Sequence, residues 1–225
     1  MIQAEGIIKS YLNGDGKEQV VVSIENIKVA DGEELVLVGP SGVGKTTLLH
    51  MLSGLVRPTA GKIYHDTLSI YDLSERERDN WRANNVGYIF QKFNLIDSMT
   101  VEENIMLGLF FAKRIISSID RVQIRDLMEK VGLTYIANKK PPEISMGEQQ
   151  RVAILRAIIK KPRILLADEP TANLDFENTE QVMQLLRDLA RQEGSSCIVA
   201  THDERIQNMF GNRCILQRGG GFSVC

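Results

Sequence analysis

The chain contains no stretch approaching the ~20 apolar residues needed to cross a bilayer. Its richest apolar run, Ile105 to Ala112, is far too short. The opening residues, Met1-Ile-Gln-Ala-Glu-Gly6, lack a positive segment followed by an apolar core, so no secretion signal is expected there. Neither sign of charge dominates: 27 Lys and Arg against 29 Asp and Glu leave a formal net charge of −2. Without a basic surplus, nucleic acid is not expected as a partner. Cysteine is scarce. Cys197, Cys214 and Cys225 are odd in number and lack metal-ligand spacing, so they read as reduced thiols of a cytosolic protein, two of them on core strands. There is also no internal repeat.

What is present is ordinary in bulk. With 225 residues, 43% hydrophobic and 25% charged, the chain can bury a real core as one large domain or two small ones. Mixed-sign runs such as Ser74-Glu-Arg-Glu-Arg-Asp79 read as solvated helix faces.

One local pattern stands apart. Gly39-Pro40-Ser41-Gly42-Val43-Gly44-Lys45-Thr46 follows the apolar run Leu35 to Val38 and precedes an apolar stretch from Thr47 to Leu55. This is G-x-x-x-x-G-K-[ST] in a strand–loop–helix setting. Glycines let the backbone wrap closely and turn its N–H groups inward, forming an anion nest at a helix N-terminus. Lys45 supplies a point charge for β- and γ-phosphates, and Thr46 a hydroxyl for Mg²⁺. A nucleoside triphosphate is the expected ligand.

Strand and helix signals alternate along the rest. Ile7 to Tyr11 and Val20 to Val29 read as antiparallel strands joined by a turn at Asn13–Gly16. Short strands are expected at Gly61–Tyr64 and Val86–Phe90, with a polar helix from Ser74 to Ala83 between them. From Thr100 to Gly132 the pattern is helical, with Thr100-Val-Glu-Glu103 as a capping box. After Pro141-Pro142 a helix runs from about Gly147 to Lys160, its apolar face built from Val152, Leu155, Ile158 and Ile159. A buried strand Ile164–Ala167, a helix near Phe176–Gln192, a strand Ser196–Ala200, a short helix and a last strand Arg213–Leu216 complete the reading. The fold class is α/β: a phosphate-loop NTPase core with a mainly parallel sheet, an N-terminal antiparallel β subdomain and an inserted helical subdomain. Residues 1–91 and 146–225 are read as the core, and 92–145 as the helical insert.

Asp168-Glu169-Pro170 ends the buried strand, where ligands of open α/β sheets gather. Asp168 suits Mg²⁺, and Glu169 suits orienting or deprotonating a water. Ser145-Met-Gly-Glu148 reads in two ways. It is a capping box, or it is a second anion site built from the Ser145 hydroxyl, the Gly147 N–H and a helix dipole.

Ile144-Ser-Met-Gly-Glu-Gln-Gln-Arg151 resembles the signature motif of ABC-type ATPases, usually L-S-G-G-Q. The other motifs of that family follow in order. Gln91 is similar to the Q-loop glutamine, Asn173-Leu-Asp175 to the D-loop, Thr201-His202-Asp203 to the switch histidine region, and Tyr11 to the aromatic residue that stacks on adenine. Singly, each has a plainer reading: Tyr11 as strand packing, Gln91 as a polar loop residue, His202 as a hydrogen-bonded histidine. The resemblance covers residues 2 to 220. Lys9-Ser-Tyr11, Ile89-Phe-Gln91 and Leu166-Ala-Asp-Glu-Pro-Thr171 are similar to the ATPases of lipoprotein-release and macrolide-export systems.

The resemblance implies a cytoplasmic ATPase, peripheral on the inner face of the membrane, bound to an integral-membrane permease. It pairs with itself or with a sister ATPase. ATP and Mg²⁺ lie between the phosphate loop (Gly39 to Thr47) of one copy and Ser145, Gly147 and Glu148 of the other. Lys45, Glu169 and His202 are the implied catalytic groups. Thr46, Asp168 and Gln91 are the implied metal contacts, with Tyr11 and Asp175 also lining the nucleotide. A regulatory membrane complex, or a soluble ATPase acting on DNA or ribosomes, is the alternative. Met146 departs from the family, which usually has glycine there; if the position needs φ > 0, methionine would cost about 1–2 kcal/mol.

Overall fold

The computed structural model describes residues 1–113, 115–172, 174–217 and 222–223. Cys225, Asn173 and most of the Gly-rich end lie outside them. Strands β1 (Ile2–Leu12) and β2 (Glu18–Val29) pair antiparallel. The turn between them is closed by Asn13, whose Oδ1 accepts from the backbone N–H of Asp15 (3.1 Å) and Lys17 (2.8 Å), a local role asparagine fills well. Then come β3 (Glu34–Val38), α1 (Lys45–Leu52), β4 (Ala60–His65), β5 (Leu68–Ser69), α2 (Glu75–Asn85) and β6 (Val86–Ile89). Helices α3 (Val101–Lys113), α4 (Ser118–Lys130) and α5 (Met146–Ile158) follow, with 3₁₀ turns at Thr134–Ile136 and Pro141–Glu143. The chain closes with β7 (Ile164–Asp168), α6 (Phe176–Gln192), β8 (Ser196–Thr201), α7 (Glu204–Gln207), β9 (Asn212–Leu216) and β10 (Phe222–Ser223).

Two sheets result, ordered β2-β1-β4-β5 and β10-β9-β3-β8-β7-β6. The first is antiparallel throughout. In the second, β3 pairs parallel with β8 and β9, and β7 with β6 and β8. Among the described residues, the edge strand β10 alone runs antiparallel in this sheet, on β9. The sheet is therefore mainly parallel, as the alternation of strands and helices requires.

The core divides by strand parity. On one face Val36, Ile89, Leu165, Ala167, Cys197 and Val199 meet α3, α4, α5 and α6. On the other, Leu35, Leu37, Ile164, Leu166, Ile198 and Ala200 meet α1 and the antiparallel sheet. Because side chains alternate along a strand, Asp168 falls on the same side as Ile164 and Leu166, under α1. The helices α3 and α4 belong to the same hydrophobic cluster as α5, α6 and one face of the parallel sheet.

Capping boxes start α2 at Ser74–Glu77, α4 at Ser117–Asp120 and α5 at Ser145–Glu148. At α3 the Glu103 carboxylate accepts from Thr100 N–H at 2.7 Å, and Thr100 Oγ1 from Glu103 N–H at 3.2 Å. Helix α5 is shorter than its apolar pattern, ending at Ile158 because Lys161 turns left-handed at φ +54°. Strands β5 and β10 and the bulge between Lys9 and Ser10 carry no alternation signal in the sequence. Cys197 and Cys214 are buried on β8 and β9.

Candidate active site

The loop between β3 and α1 is shaped by close backbone approach. At Gly44, φ is +104°, and a Cβ would lie 2.7 Å from the Val21 carbonyl oxygen of β2. Only glycine satisfies both demands. Gly42 is likewise left-handed, at φ +77°. The loop stands against the antiparallel sheet with Gly39, Val43 and Gly44 buried and Pro40, Ser41 and Gly42 exposed. Thr46 opens α1 exposed, and Thr47 is half-buried behind it.

Lys45 is only 6% exposed, yet its Nζ faces oxygens alone. It donates to the Gly39 carbonyl at 2.6 Å and the Pro40 carbonyl at 3.2 Å, and lies 3.4 Å from Glu169 Oε1. Thus a buried ammonium is held at the loop by two dipoles and one carboxylate, which is how a charge survives burial.

Glu169 follows β7 with φ +46°, in the left-handed region. Pro170 disfavours right-handed helical geometry at this residue. The bend is pinned by Glu169 N–H donating to the Ala200 carbonyl of β8 at 2.9 Å. Non-glycine residues held this way concentrate at functional sites. The carboxylate Oε1 also lies 2.8 Å from His202 Nδ1. An ionised carboxylate only accepts, so Nδ1 carries the proton, and Nε2 is the nitrogen left to face a ligand.

Asp168 is 5% exposed, and its Oδ1 is buried without a hydrogen-bond partner. Burial pushes its pKa up; the Thr46 hydroxyl pulls it down again, and Glu169 adds to the rise. A buried unpaired carboxylate oxygen beside a hydroxyl fits a hard cation. Mg²⁺ in particular takes few protein oxygens and keeps waters and phosphate oxygens for its other positions. Among the described residues no group of three or more His, Cys, Asp or Glu could hold a metal. Gln91 follows β6 and is exposed.

Tyr11 lies near the end of β1, 44% exposed, with Lys9 Nζ 5.0 Å from its ring centroid. It pairs with Gln19 of β2, two residues before the Val21 carbonyl that meets the loop.

The residues Ser145 to Glu148 form a second, self-contained cluster. Ser145 Oγ donates to Glu148 Oε2 at 2.6 Å and accepts from Glu148 N–H at 3.3 Å, while Ser145 N–H donates to the same Oε2 at 2.7 Å. Tyr135 Oη donates to Glu148 Oε1. The Ser145 and Tyr135 hydroxyls together hold the Glu148 carboxyl below its usual range. Met146 is the first residue of α5, in ordinary helical geometry and 56% exposed. The condition for strain at this position is therefore not met, and the expected cost falls away. Gly147 meets α6: a Cβ there would stand 3.2 Å from Asn178 Oδ1. Asn178 in turn donates its backbone N–H (2.9 Å) and Nδ2 (3.0 Å) to Asp175 Oδ1. These bonds hold the Asp175 carboxyl down, the backbone bond most.

Two partners escaped the sequence reading. Asn178 was detectable, since Asp followed three residues later by Asn at a helix start is a capping pattern. Tyr135 reaches Glu148 only through tertiary folding. The geometry brings Lys45, Thr46, Asp168, Glu169 and His202 into one cluster. Ser145, Gly147 and Glu148 form another, which Gly147 and Asn178 join to Asp175.

Comparison with known proteins gives the family. The family model described as ABC transporter matches residues 23–172. The lipoprotein-releasing system ATP-binding protein LolD of Shewanella sp. strain MR-7 is 37% identical, covering 97% of this chain and 94% of its own length. An ABC transporter ATP-binding protein of Methanocaldococcus jannaschii, MJ0796, is 36% identical over 98% of this chain and 94% of its own. A dimeric structure of MJ0796 in a post-hydrolysis state, bound to ADP and Pi, superposes with a TM-score of 0.89 at 34% identity, covering 99% of this chain and 97% of that one. A second dimeric structure of the same cassette gives a TM-score of 0.90. With its phosphate loop, strand-end acids and histidine assembled and its relatives matched along nearly the whole length, this chain belongs to the ABC transporter ATPases, the family that binds and hydrolyses ATP.

Proposed function

We propose that this chain is the ATP-hydrolysing subunit of a membrane complex of the lipoprotein-release and export type. Two copies pair head to tail, and one ATP lies at each junction. The phosphates rest on the backbone N–H groups of Gly39 to Thr47 and on Lys45, with Tyr11 against the base. Thr46 and Asp168 would hold Mg²⁺, with Gln91 as a further contact. The ion, once bound, spreads the negative charge of the β- and γ-phosphates. Glu169 acts as general base. The Lys45 and His202 contacts both fall on Oε1, so Oε2 is the oxygen that accepts a proton from the attacking water. The water oxygen bonds to the γ-phosphorus as the bridging P–O bond to ADP breaks. Lys45 faces the charge that develops on the transferring group, and His202 would donate to it from Nε2 with its ring carrying both protons, Nδ1–H being held by Glu169.

The observation that carries this reading is the single carboxylate of Glu169, joined to both Lys45 and His202 at the end of the parallel sheet. Pairing is supported by the second anion cluster: a helix N-terminus whose Ser145 and Met146 are exposed. It is also supported by dimers among the solved relatives. The partner copy's Ser145 hydroxyl and Gly147 N–H would reach the γ-phosphate, the Glu148 carboxylate staying turned back onto Ser145 and Tyr135, and ATP then favours the closed pair because it satisfies both copies.

We assign the permease contact to the groove between α2 and α3, a cavity of about 1330 Å³ lined by Leu55, Tyr88, Phe90, Phe111 and Arg156 among others. It starts next to Gln91, and Phe111 at its rim is 67% exposed. Residues 92–145 would then move as the permease moves, and the chain would work at the cytoplasmic face of the membrane. No helix among the described residues is long and apolar enough to cross a membrane.

Glu169→Gln tests the catalytic assignment: turnover should fall roughly 100- to 10,000-fold, the scale of a lost general base. The variant should still bind ATP and persist as a dimer in size-exclusion chromatography. Monomers throughout an ATP titration would overturn the paired site. Copurification from gently solubilised membranes should yield a polytopic membrane protein; ribosomes or DNA instead would overturn the assignment of partner.

A further inference from the structure

A side chain of α5 ties down the segment that begins at Gln91. Arg156, in the last turn of that helix, donates from Nη1 to the Asn94 carbonyl at 2.6 Å and from Nη2 to the Phe93 carbonyl at 2.7 Å. Two consecutive carbonyls are thus gripped by one planar fork, a task a guanidinium performs and an ammonium does not. The loop must bend to present them. Asn94 sits at φ +51°, a left-handed conformation that asparagine enters more readily than most residues.

The same residue is a backbone contact point. A Cβ at Gly108 of α3 would stand 2.1 Å from the Arg156 carbonyl oxygen, so α3 lies directly on the α5 main chain here. The guanidinium also lines the groove between α2 and α3. Just beyond the helix, Lys160 Nζ donates to the Ala83 carbonyl near the end of α2 at 2.7 Å. The tail of α5 therefore fastens the Gln91 segment, α3 and α2 together.

The head of α5 is Ser145 to Glu148. With 13 residues rising ~1.5 Å each, the helix is a rod of roughly 20 Å. We propose that Arg156 is a positioning residue that makes the segment after Gln91 and the Ser145–Glu148 cluster opposite ends of one rigid body. A displacement of the groove is then delivered to the second anion site rather than absorbed by a soft loop. This rests on the paired-site reading above, and it adds to it the element that links the groove to the junction between copies.

The test uses the full chain in the Glu169→Gln background, where ATP-driven association can be read by light scattering. Arg156→Lys keeps the charge and most of the stem but cannot bond both carbonyls in plane. Nucleotide affinity, measured with a fluorescent ATP analogue, should stay within about twofold of the parent, while association weakens roughly tenfold, a typical coupling size. Amide hydrogen exchange should quicken both at 92–96 and at 146–149. Unchanged association, or faster exchange confined to 92–96, overturns the proposal. Asn94→Val displaces the same carbonyls from the loop side, because a β-branched residue is excluded from φ > 0. It carries the test if the arginine variant does not fold. Combined, the two substitutions should be non-additive, and additive effects would overturn a shared link. A parent that stays monomeric with ATP refutes the paired site instead, and the paired rise in exchange still decides the link through α5.

Discussion

Two helix N-termini on this chain, which we propose meet the same nucleotide from two copies, are finished to different degrees. At the head of α1 the lysine is buried, the neighbouring aspartate is buried with one oxygen unpartnered, and Glu169 is bent into a left-handed turn to reach them. At the head of α5 the serine is exposed and its hydroxyl is already satisfied by Glu148 from its own helix. The first holds its charged groups in place through a whole sheet. The second is a cap that stabilises its own helix whether or not a ligand arrives. Charge preorganised in a buried site is costly and specific, and charge at an exposed cap is cheap and adaptable. A site that must open and close is better divided in this way than built entirely within one chain.

The comparison can be broken most easily at Lys45. Lys45→Ala should lower ATP affinity roughly 100-fold, the ~3 kcal/mol scale of a charged hydrogen-bonding partner, read by equilibrium titration. Undiminished binding would show the α1 end is not the primary site. At the other end, Ser145→Ala removes a cap worth about 1 kcal/mol and should lower the thermal midpoint, leaving monomer affinity for ATP intact but weakening ATP-driven association. If it weakened monomer binding as strongly as Lys45→Ala, the division of labour would be wrong.

The tail of α5 should show its pH signature on the alkaline side, whereas the lowered Glu148 carboxyl at its head titrates on the acid side. Burial pushes the Lys160 pKa down to about 8, from 10.5 for an unburied lysine, with Arg82 adding to the fall. Between those two values the unfolded chain holds a proton the folded chain has released. By linkage this residue's contribution to stability therefore rises with pH across that window and is flat below it. The difference in unfolding free energy between the parent and Lys160→Met should carry that slope, and a flat difference would show the lysine is not desolvated. The smallest effect is expected at Met146→Gly. Methionine there is helical and unstrained, so glycine should cost less than about 1 kcal/mol and give no large gain in ATPase rate.

Much of the active site was legible because its residues are adjacent in sequence. The phosphate loop carries its glycines, lysine and threonine in eight consecutive positions, and Asp168-Glu169 ends an uninterrupted apolar strand. Helix caps were equally local: Thr100–Glu103 and Ser145–Glu148 each span one turn. Hydrophobic periodicity identified the buried face of α5, where Val152, Leu155, Ile158 and Ile159 are all nearly inaccessible. Strand β5 was not legible, since two residues cannot establish a period. The grip of Arg156 on Phe93 and Asn94 and the meeting of Gly147 with Asn178 left no trace in any window of sequence.

The sequence by itself determined the phosphate loop, the acidic strand end, the alternation of strands and helices, and so the family, since each depends on spacing within a few residues. Tertiary structure alone decided that Glu169 serves both Lys45 and His202, that Asp168 lies under α1, and that Arg156 of α5 bonds the Phe93 and Asn94 carbonyls. Those facts depend on which strands become neighbours and in what register. Backbone pairing and core packing between distant segments settle that, and no short stretch of residues encodes it.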